Sequence, residues 1–272
     1  MIEFTDVHFS YHGTIRALDG VTFTIGEGEI VSLMGENGAG KTTIIRHANG
    51  LLKPQRGRVV VDGTDTKNAT VAELSRKVGV IFQSPDNMFF LQTVYDEVAF
   101  ALRKFGYTPK EVEERVSEVL RFFGLERYRD RSPFTLSGGE KKRLSIAIVA
   151  AWNPKYLLID EPTVGQDVTY RRLLVQLLNE FANEGKTIVI STHDVEFVAD
   201  LRPRVILVSR GRVIADGSAR DVLTDEELLK RASLVMPQVP QLLRSIPKSG
   251  VNFKLLGVEE GAREIVRLFS RG

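Results

Sequence analysis

The tightest constraint on this chain is Gly35-Glu36-Asn37-Gly38-Ala39-Gly40-Lys41-Thr42-Thr43, which meets the pattern Gly-x4-Gly-Lys-[Ser/Thr] at every fixed position. An apolar segment, residues 29–34, runs into it and is short enough for a buried strand. Residues 42–49 leave it with helical character, and Gly50 stands where such a helix stops. Strand, glycine loop and helix in that order make a backbone device for holding an anion. Glycines leave N–H groups free to turn inward, and the helix start adds the positive end of its dipole. Lys41 supplies a full charge near β- and γ-phosphates, and Thr42 a hydroxyl for Mg²⁺. The bland alternative is a glycine-rich turn with no ligand, and the flanking strand and helix weigh against it. The loop alone names neither the nucleotide nor the use made of its energy.

Composition narrows the rest. With 272 residues, one large domain or two small ones are expected. Hydrophobic residues at 43% and charged ones at 26% are enough to bury an ordinary core. A formal charge of +2 gives no electrostatic case for nucleic acid. The absence of cysteine excludes a disulfide framework, a thiolate metal site and a Cys nucleophile, and fits a reducing compartment. Residues 1–6 carry two acids without a basic lead and apolar run, so no secretory leader is expected there. The longest apolar-looking run, residues 144–152, is far short of the roughly 18 residues of a spanning helix. Any membrane role is expected to act through another protein.

In chain order, residues 2–9 alternate as a strand, 10–13 read as a turn, and 21–25 and 58–63 alternate again. These pieces predict a small antiparallel sheet beside the nucleotide core. Residues 78–83 read as a buried strand. From 93 to 152 the pattern is helical. Thr108-Pro109-Lys110-Glu111 has a cap, a proline at the first helical position and a capping-box acid; Val112, Val116, Val119, Leu120 and Phe123 follow at helical spacing up to Gly124. The α/β pattern resumes with strand 156–161 and a helix with Leu173, Leu174, Leu177, Leu178 and Phe181 on one face. Strands 187–191 and 205–209 follow, with a hairpin return at 211–214. From about residue 220 a tail carries a cap at 224–227, breaks at Pro237, Pro240 and Pro247, and an amphipathic helix over 258–270.

Two further groups carry chemistry. Asp160 and Glu161 end an apolar strand well downstream of the glycine loop. In P-loop enzymes the first of such acids fixes Mg²⁺, and the second is placed to polarise an attacking water. Alone, they read equally well as solvated acids at a strand end. Leu136-Ser137-Gly138-Gly139-Glu140 precedes a helix with Leu144, Ala147, Ile148 and Ala151 as its stripe. Ser137 and Glu140 have capping-box spacing. The segment is either a plain helix start or a second anion site built from glycines, a hydroxyl and a helix N-terminus.

Through nearly all of residues 2–219 the sequence resembles the ABC-type ATPases. Residues 136–140 resemble their LSGGQ signature, with Glu140 in place of Gln. Tyr11 matches the aromatic that stacks on adenine, Gln83 the Q-loop glutamine that senses Mg²⁺ and the γ-phosphate, and Asp160 and Glu161 the Walker B acid and catalytic glutamate. His193 matches the switch histidine and Asp167 the D-loop aspartate. The resemblance implies a P-loop α/β fold with an antiparallel β subdomain, an inserted helical subdomain and a C-terminal helical extension. Residues 1–219 would form the ATP-binding domain, with helices over about 84–153, and 220–272 a dimerisation or regulatory extension. It also implies ATP and Mg²⁺ as ligands and two units paired head to tail. Each ATP would lie between one unit's Asn37, Gly38, Ala39, Gly40, Lys41, Thr42 and Thr43 and the other's Ser137, Gly138, Gly139, Glu140 and Asp167. Thr42, Gln83 and Asp160 would hold the metal, and Glu161, His193 and Gln83 would carry the hydrolysis.

Within that family, residues 82–90 (Phe-Gln-Ser-Pro-Asp-Asn-Met-Phe-Phe) and 236–243 (Met-Pro-Gln-Val-Pro-Gln-Leu-Leu) resemble energy-coupling factor (ECF) transporter ATPases. The resemblance implies a peripheral subunit on the cytoplasmic face of the cell membrane, energising uptake of vitamins or transition-metal ions. Its partners would be a second ATPase, a transmembrane coupling subunit and a small substrate-binding membrane subunit, with no direct contact to solute or nucleic acid. Met88, Phe89, Phe90 and Leu91 are either the dock for the membrane subunit or core. Gln166 stands where Leu is usual in the D-loop, which favours an asymmetric partner. The ATPase of a conventional importer is the alternative, and a soluble ABC ATPase a more distant one.

Overall fold

Two sheets meet around the glycine loop. The computed structural model describes residues 1–247 and 250–270. The chain begins with β1 (Ile2–Tyr11), β2 (Ile15–Ile25) and β3 (Ile30–Met34), then α1 (Lys41–Ala48), β4 (Arg56–Val61), β5 (Thr64–Asp65), α2 (Val71–Ser75) and β6 (Val78–Ile81). Three helices follow: α3 (Val94–Phe105), α4 (Pro109–Phe122) and α5 (Gly138–Ala150). Then come β7 (Tyr156–Asp160), α6 (Val168–Asn183), β8 (Thr187–Thr192), α7 (Val195–Leu201), β9 (Arg204–Ser209) and β10 (Arg212–Ser218). Helices α8 (Ala219–Leu223), α9 (Glu226–Arg231), α10 (Gln238–Ser245) and α11 (Val258–Phe269) complete the described chain.

One sheet has the order β2-β1-β4-β5 and is antiparallel; the other has the order β10-β9-β3-β8-β7-β6 and is parallel apart from the β9–β10 pair. The parallel strands are apolar along their whole length because both faces are covered. Leu157, Ile159, Ile188 and Ile190 pack into the cluster shared with the helical block. Tyr156, Leu158, Val189 and Val31 pack on the other side with α1 and the antiparallel sheet. The side-chain period of two divides each strand between these cores.

The capping box at Thr108 and Glu111 is formed as the sequence predicts, and α4 starts on Pro109. Four local expectations are corrected. Ser10 and Tyr11 belong to β1, with the turn at His12 and Gly13, both at positive φ. β2 starts at Ile15 because the β1–β2 register shifts repeatedly, and such irregular pairing erases simple alternation. Pro240 does not break the tail: it lies in the first turn of α10, where its missing N–H has no helical partner to lose. On α6, Leu174, Leu178 and Phe181 are buried, whereas Leu173 is 56% exposed.

Candidate functional site

The carboxyl ends of β3, β7 and β8 lie side by side, the edge at which parallel α/β sheets bind ligands. Register fixes what meets there: Asp160 pairs with Ser191, and Met34 with Thr192. The glycine loop leaves β3, Glu161 leaves β7 and His193 leaves β8 at one level.

Within the loop, Gly35 has φ 151°, and a Cβ there would come 2.1 Å from the Val208 carbonyl oxygen; at Gly40, φ 111°, it would come 2.7 Å from the Ala17 carbonyl oxygen. Only glycine fits either place. Lys41, buried as the first residue of α1, donates through Nζ to the carbonyls of Gly35 at 2.7 Å and Glu36 at 3.0 Å. The same ammonium lies 3.3 Å from Glu161 Oε1. Thr42 Oγ1 donates to the Asp160 carboxylate, at 2.9 Å to Oδ2 and 3.1 Å to Oδ1, and the Ser191 hydroxyl donates to that carboxylate too.

Glu161 is held from three directions. Its N–H donates to the Ser191 carbonyl at 2.9 Å, Lys41 lies to one side, and His193 Nδ1 is 3.0 Å from Oε2. Its φ is 47°, a left-handed conformation uncommon for glutamate. Strain of this kind persists where surrounding bonds over-determine it and gathers at functional sites.

A cleft of about 380 Å³ opens over these groups, lined by Tyr11, Asn37, Gly38, Gly40, Lys41, Thr42, Thr43, Gln83 and Glu161. Ile15, Arg16 and Ala17 complete its wall. Sequence reasoning missed those three; their signal is position, since β2 folds back directly after Tyr11. Tyr11 is fixed by its hydroxyl, 3.2 Å from Thr43 Oγ1, and by the edge-on ring of Phe9 at 5.0 Å. Ala39 is buried beneath the loop, its carbonyl accepting from Gly211 N–H.

The second glycine segment lies elsewhere. None of residues 136–140 lines the cleft, and neither does Asp167, which caps α6 by accepting from Tyr170 N–H at 2.8 Å. Ser137 caps α5 in a complete capping box with Glu140. A Cβ built on Gly138 or Gly139 meets nothing within 4 Å, so this chain's own packing does not require glycine there. Glu140 accepts from the Tyr128 hydroxyl and from Ser137 N–H, the latter at 2.8 Å. The Tyr128 hydroxyl first, then the Ser137 groups, pull its carboxyl from the usual 4.5 down to about 2, with Arg127 adding a smaller attraction.

Thr42 hydroxyl, Asp160 carboxylate and Gln83 amide are hard oxygen donors of the kind Mg²⁺ takes. Among the described residues no group of three or more His, Cys, Asp or Glu could hold a metal ion. A cation here would therefore complete its shell with phosphate and water. The apolar run after Gln83 is divided: Phe89 is buried, while Phe90 is 61% exposed and set edge-on to Phe100 at 5.0 Å. No helix of the described residues is long and apolar enough to cross a membrane.

The family model for ABC transporter matches residues 18–164, from within β2 through the glycine loop and the signature segment to the turn beyond Glu161. The chain is an ABC ATPase. The energy-coupling factor transporter ATP-binding protein EcfA of Methanothermobacter thermautotrophicus is 40% identical over 271 residues, 98% of this chain and 87% of that protein. A putative ABC transporter ATP-binding protein of Pyrococcus furiosus is 46% identical over 247 residues, 90% of this chain and 94% of that protein. Among solved structures, cbiO1 of Clostridium perfringens, part of the ABC transporter complex cbiONQ, superposes with TM-score 0.76 at 33% identity. The match covers 89% of this chain and 98% of that one. An ATP-binding cassette solved as a post-hydrolysis dimer with ADP and Pi superposes with TM-score 0.73 at 33% identity, covering 80% of this chain and 99% of that one. The ABC ATPases are ATP-hydrolysing proteins, and the P-loop α/β architecture expected from the sequence is the one observed.

Proposed function

We propose that this chain is the ATP-hydrolysing subunit of an ECF-type importer and that its site is completed only by a second ATPase unit. One observation carries the reading: Lys41, Thr42, Gln83 and Glu161 share a cleft, while Gly138 and Gly139 face open space away from it. A signature whose glycines answer to nothing in their own chain fits a surface built for close approach by a neighbour's nucleotide.

In this reading the glycine-loop N–H groups and Lys41 bind the phosphates of ATP, and Tyr11 offers its ring to the base. Thr42, Gln83 and Asp160 hold Mg²⁺, which when bound neutralises charge on the β- and γ-phosphates. Glu161 accepts a proton from the attacking water, and His193 keeps that carboxylate turned toward the γ-phosphate. Ser137, Gly138, Gly139, Glu140 and Asp167 of a second unit cover the phosphate from outside, exclude water and add a helix N-terminus to the charge balance. Pairing and hydrolysis then alternate, and membrane subunits turn the cycle into uptake. Residues 1–219 are the catalytic part, with helices over about 84–153, and 220–272 extend it toward a partner.

Similarity to EcfA and to a cbiONQ component supports the importer assignment, and the resemblance of residues 82–90 supports the ECF type. Gln166 in the D-loop favours a non-identical second ATPase. Vitamins or transition-metal ions are the solute classes that follow, with membrane subunits, not this chain, touching the solute.

Glu161→Gln tests the site. The variant is expected to bind ATP, accumulate as a nucleotide-bound dimer and lose turnover by about 10³-fold. Normal turnover would remove Glu161 from the reaction. Purification of the complex in mild detergent tests the partners: a second ATPase, a large membrane subunit and a small one are expected. A membrane partner that does not accept interchangeable substrate-binding subunits would make it a conventional importer.

A further inference from the structure

Lys142 stands out among the charged residues outside the cleft. It lies on α5, five residues beyond Ser137, and is only 8% exposed. Among the described residues it has no carboxylate within ion-pair distance. Its ammonium instead donates to two backbone carbonyls, that of Gln83 at 3.2 Å and that of Pro162 at 3.4 Å. Burial lowers its pKa, and the nearby charge of Glu161 acts in the opposite sense. An ammonium this buried without a carboxylate is expensive to keep, and a fold has no stability reason to prefer it over an apolar side chain.

The two carbonyls explain where the benefit lies. Gln83 is one of the residues that line the cleft, and Pro162 directly follows Glu161. Lys142 thus joins three segments: the helix led by Ser137-Gly138-Gly139, the loop carrying Gln83, and the turn carrying the reactive carboxylate. Beside it, Lys141 reaches Asp86 at 2.7 Å, fastening the same loop to α5 from the outside. Five residues of α-helix span about 7.5 Å. A force applied at the start of α5 therefore reaches Lys142 along a rigid rod.

We propose that Lys142 is a positioning residue: it transmits the seating of the signature helix to Gln83 and Glu161, so that Glu161 is aligned only when the signature end of α5 is engaged. The inference rests on the reading of residues 136–140 as the surface that meets a second unit's nucleotide. It adds a link within one chain between giving a signature to the neighbour and preparing its own carboxylate. Each unit would then report its pairing to its own site, and two sites would fire in concert.

The test uses the chain assembled with its second ATPase unit and carrying Lys142→Met or Lys142→Arg, each assayed for ATP turnover, KM and thermal midpoint. Met is long, unbranched and apolar, so it fills the space and removes only the ammonium. The expected result is a kcat lowered about tenfold or more with KM within about twofold. The thermal midpoint should be unchanged or raised, and Arg should restore most of the lost kcat. A residue that merely held the fold would show the opposite sign, with the midpoint falling along with activity and no rescue by Arg. That pattern, or wild-type kcat in Lys142→Met, overturns the proposal. Absence of ATPase activity in the wild-type chain and its complex would instead overturn the parent reading, so the two failures are distinguishable.

Discussion

Two stretches of this molecule look alike in sequence: each places glycines and a hydroxyl residue at the start of a helix. The structure separates them. At Gly35 and Gly40 the chain itself demands glycine, because a side chain would run into the Val208 and Ala17 carbonyls and the backbone is left-handed. At Gly138 and Gly139 neither condition holds. The first segment is glycine for its own fold, and the second, in the proposed reading, for something that approaches from outside. The surroundings differ in the same sense. Lys41 is buried beside Glu161, whereas Ser137 and Glu140 satisfy each other at a surface.

The comparison breaks most sharply under alanine. Gly35→Ala is expected to lose at least about 3 kcal/mol of stability in urea denaturation, since a backbone carbonyl cannot yield as a flexible side chain does. Gly139→Ala is expected to stay within about 0.5 kcal/mol of wild type, a helix position with open space around it. Its turnover should nevertheless fall on the order of 10²-fold, because a methyl group there displaces the covered phosphate. A Gly139→Ala chain that hydrolyses ATP normally would leave the second glycine segment as a helix start and nothing more. One that unfolds like Gly35→Ala would erase the distinction between the segments.

The same contrast marks how far the sequence could be read. Lys41, Thr42, Asp160 and Glu161 were legible because a strand end, a glycine loop and a helix start are local patterns, and the parallel register then has little freedom. Tyr11 and His193 were legible only through family resemblance; nothing in their immediate neighbours distinguishes them. Ile15, Arg16 and Ala17 were not legible, because their place on the cleft wall depends on irregular β1–β2 pairing. Nor was the exposure of Leu173: the α6 stripe is wider in sequence than the surface available to cover it. Nothing in the sequence sets Lys142 apart from its neighbours Lys141 and Arg143. Only the packing of α5 against the Gln83 and Pro162 turns shows it to be buried.

The smallest expected effect lies in the capping box of the second segment. Glu140 titrates at about 2 in the fold against its ordinary 4.5, so its bonds to Tyr128 and Ser137 favour the folded state when it is ionised. A carboxyl with a depressed pKa gives its full stabilisation above about pH 5, and that contribution fades as pH falls from 4.5 toward 2. The carboxylate sits at a surface and is screened, so about 1 kcal/mol is the scale to expect, that of a helix cap. Glu140→Gln should therefore flatten the stability curve between pH 5 and about pH 2 while leaving the neutral-pH midpoint within about 1 kcal/mol. Tyr128→Phe should flatten it partway, because the Ser137 N–H still holds the carboxylate. Equal acid sensitivity in all three chains would mean that Glu140 is not tied down at the signature. The rigid placement of Ser137 assumed for the second segment would then lose its support.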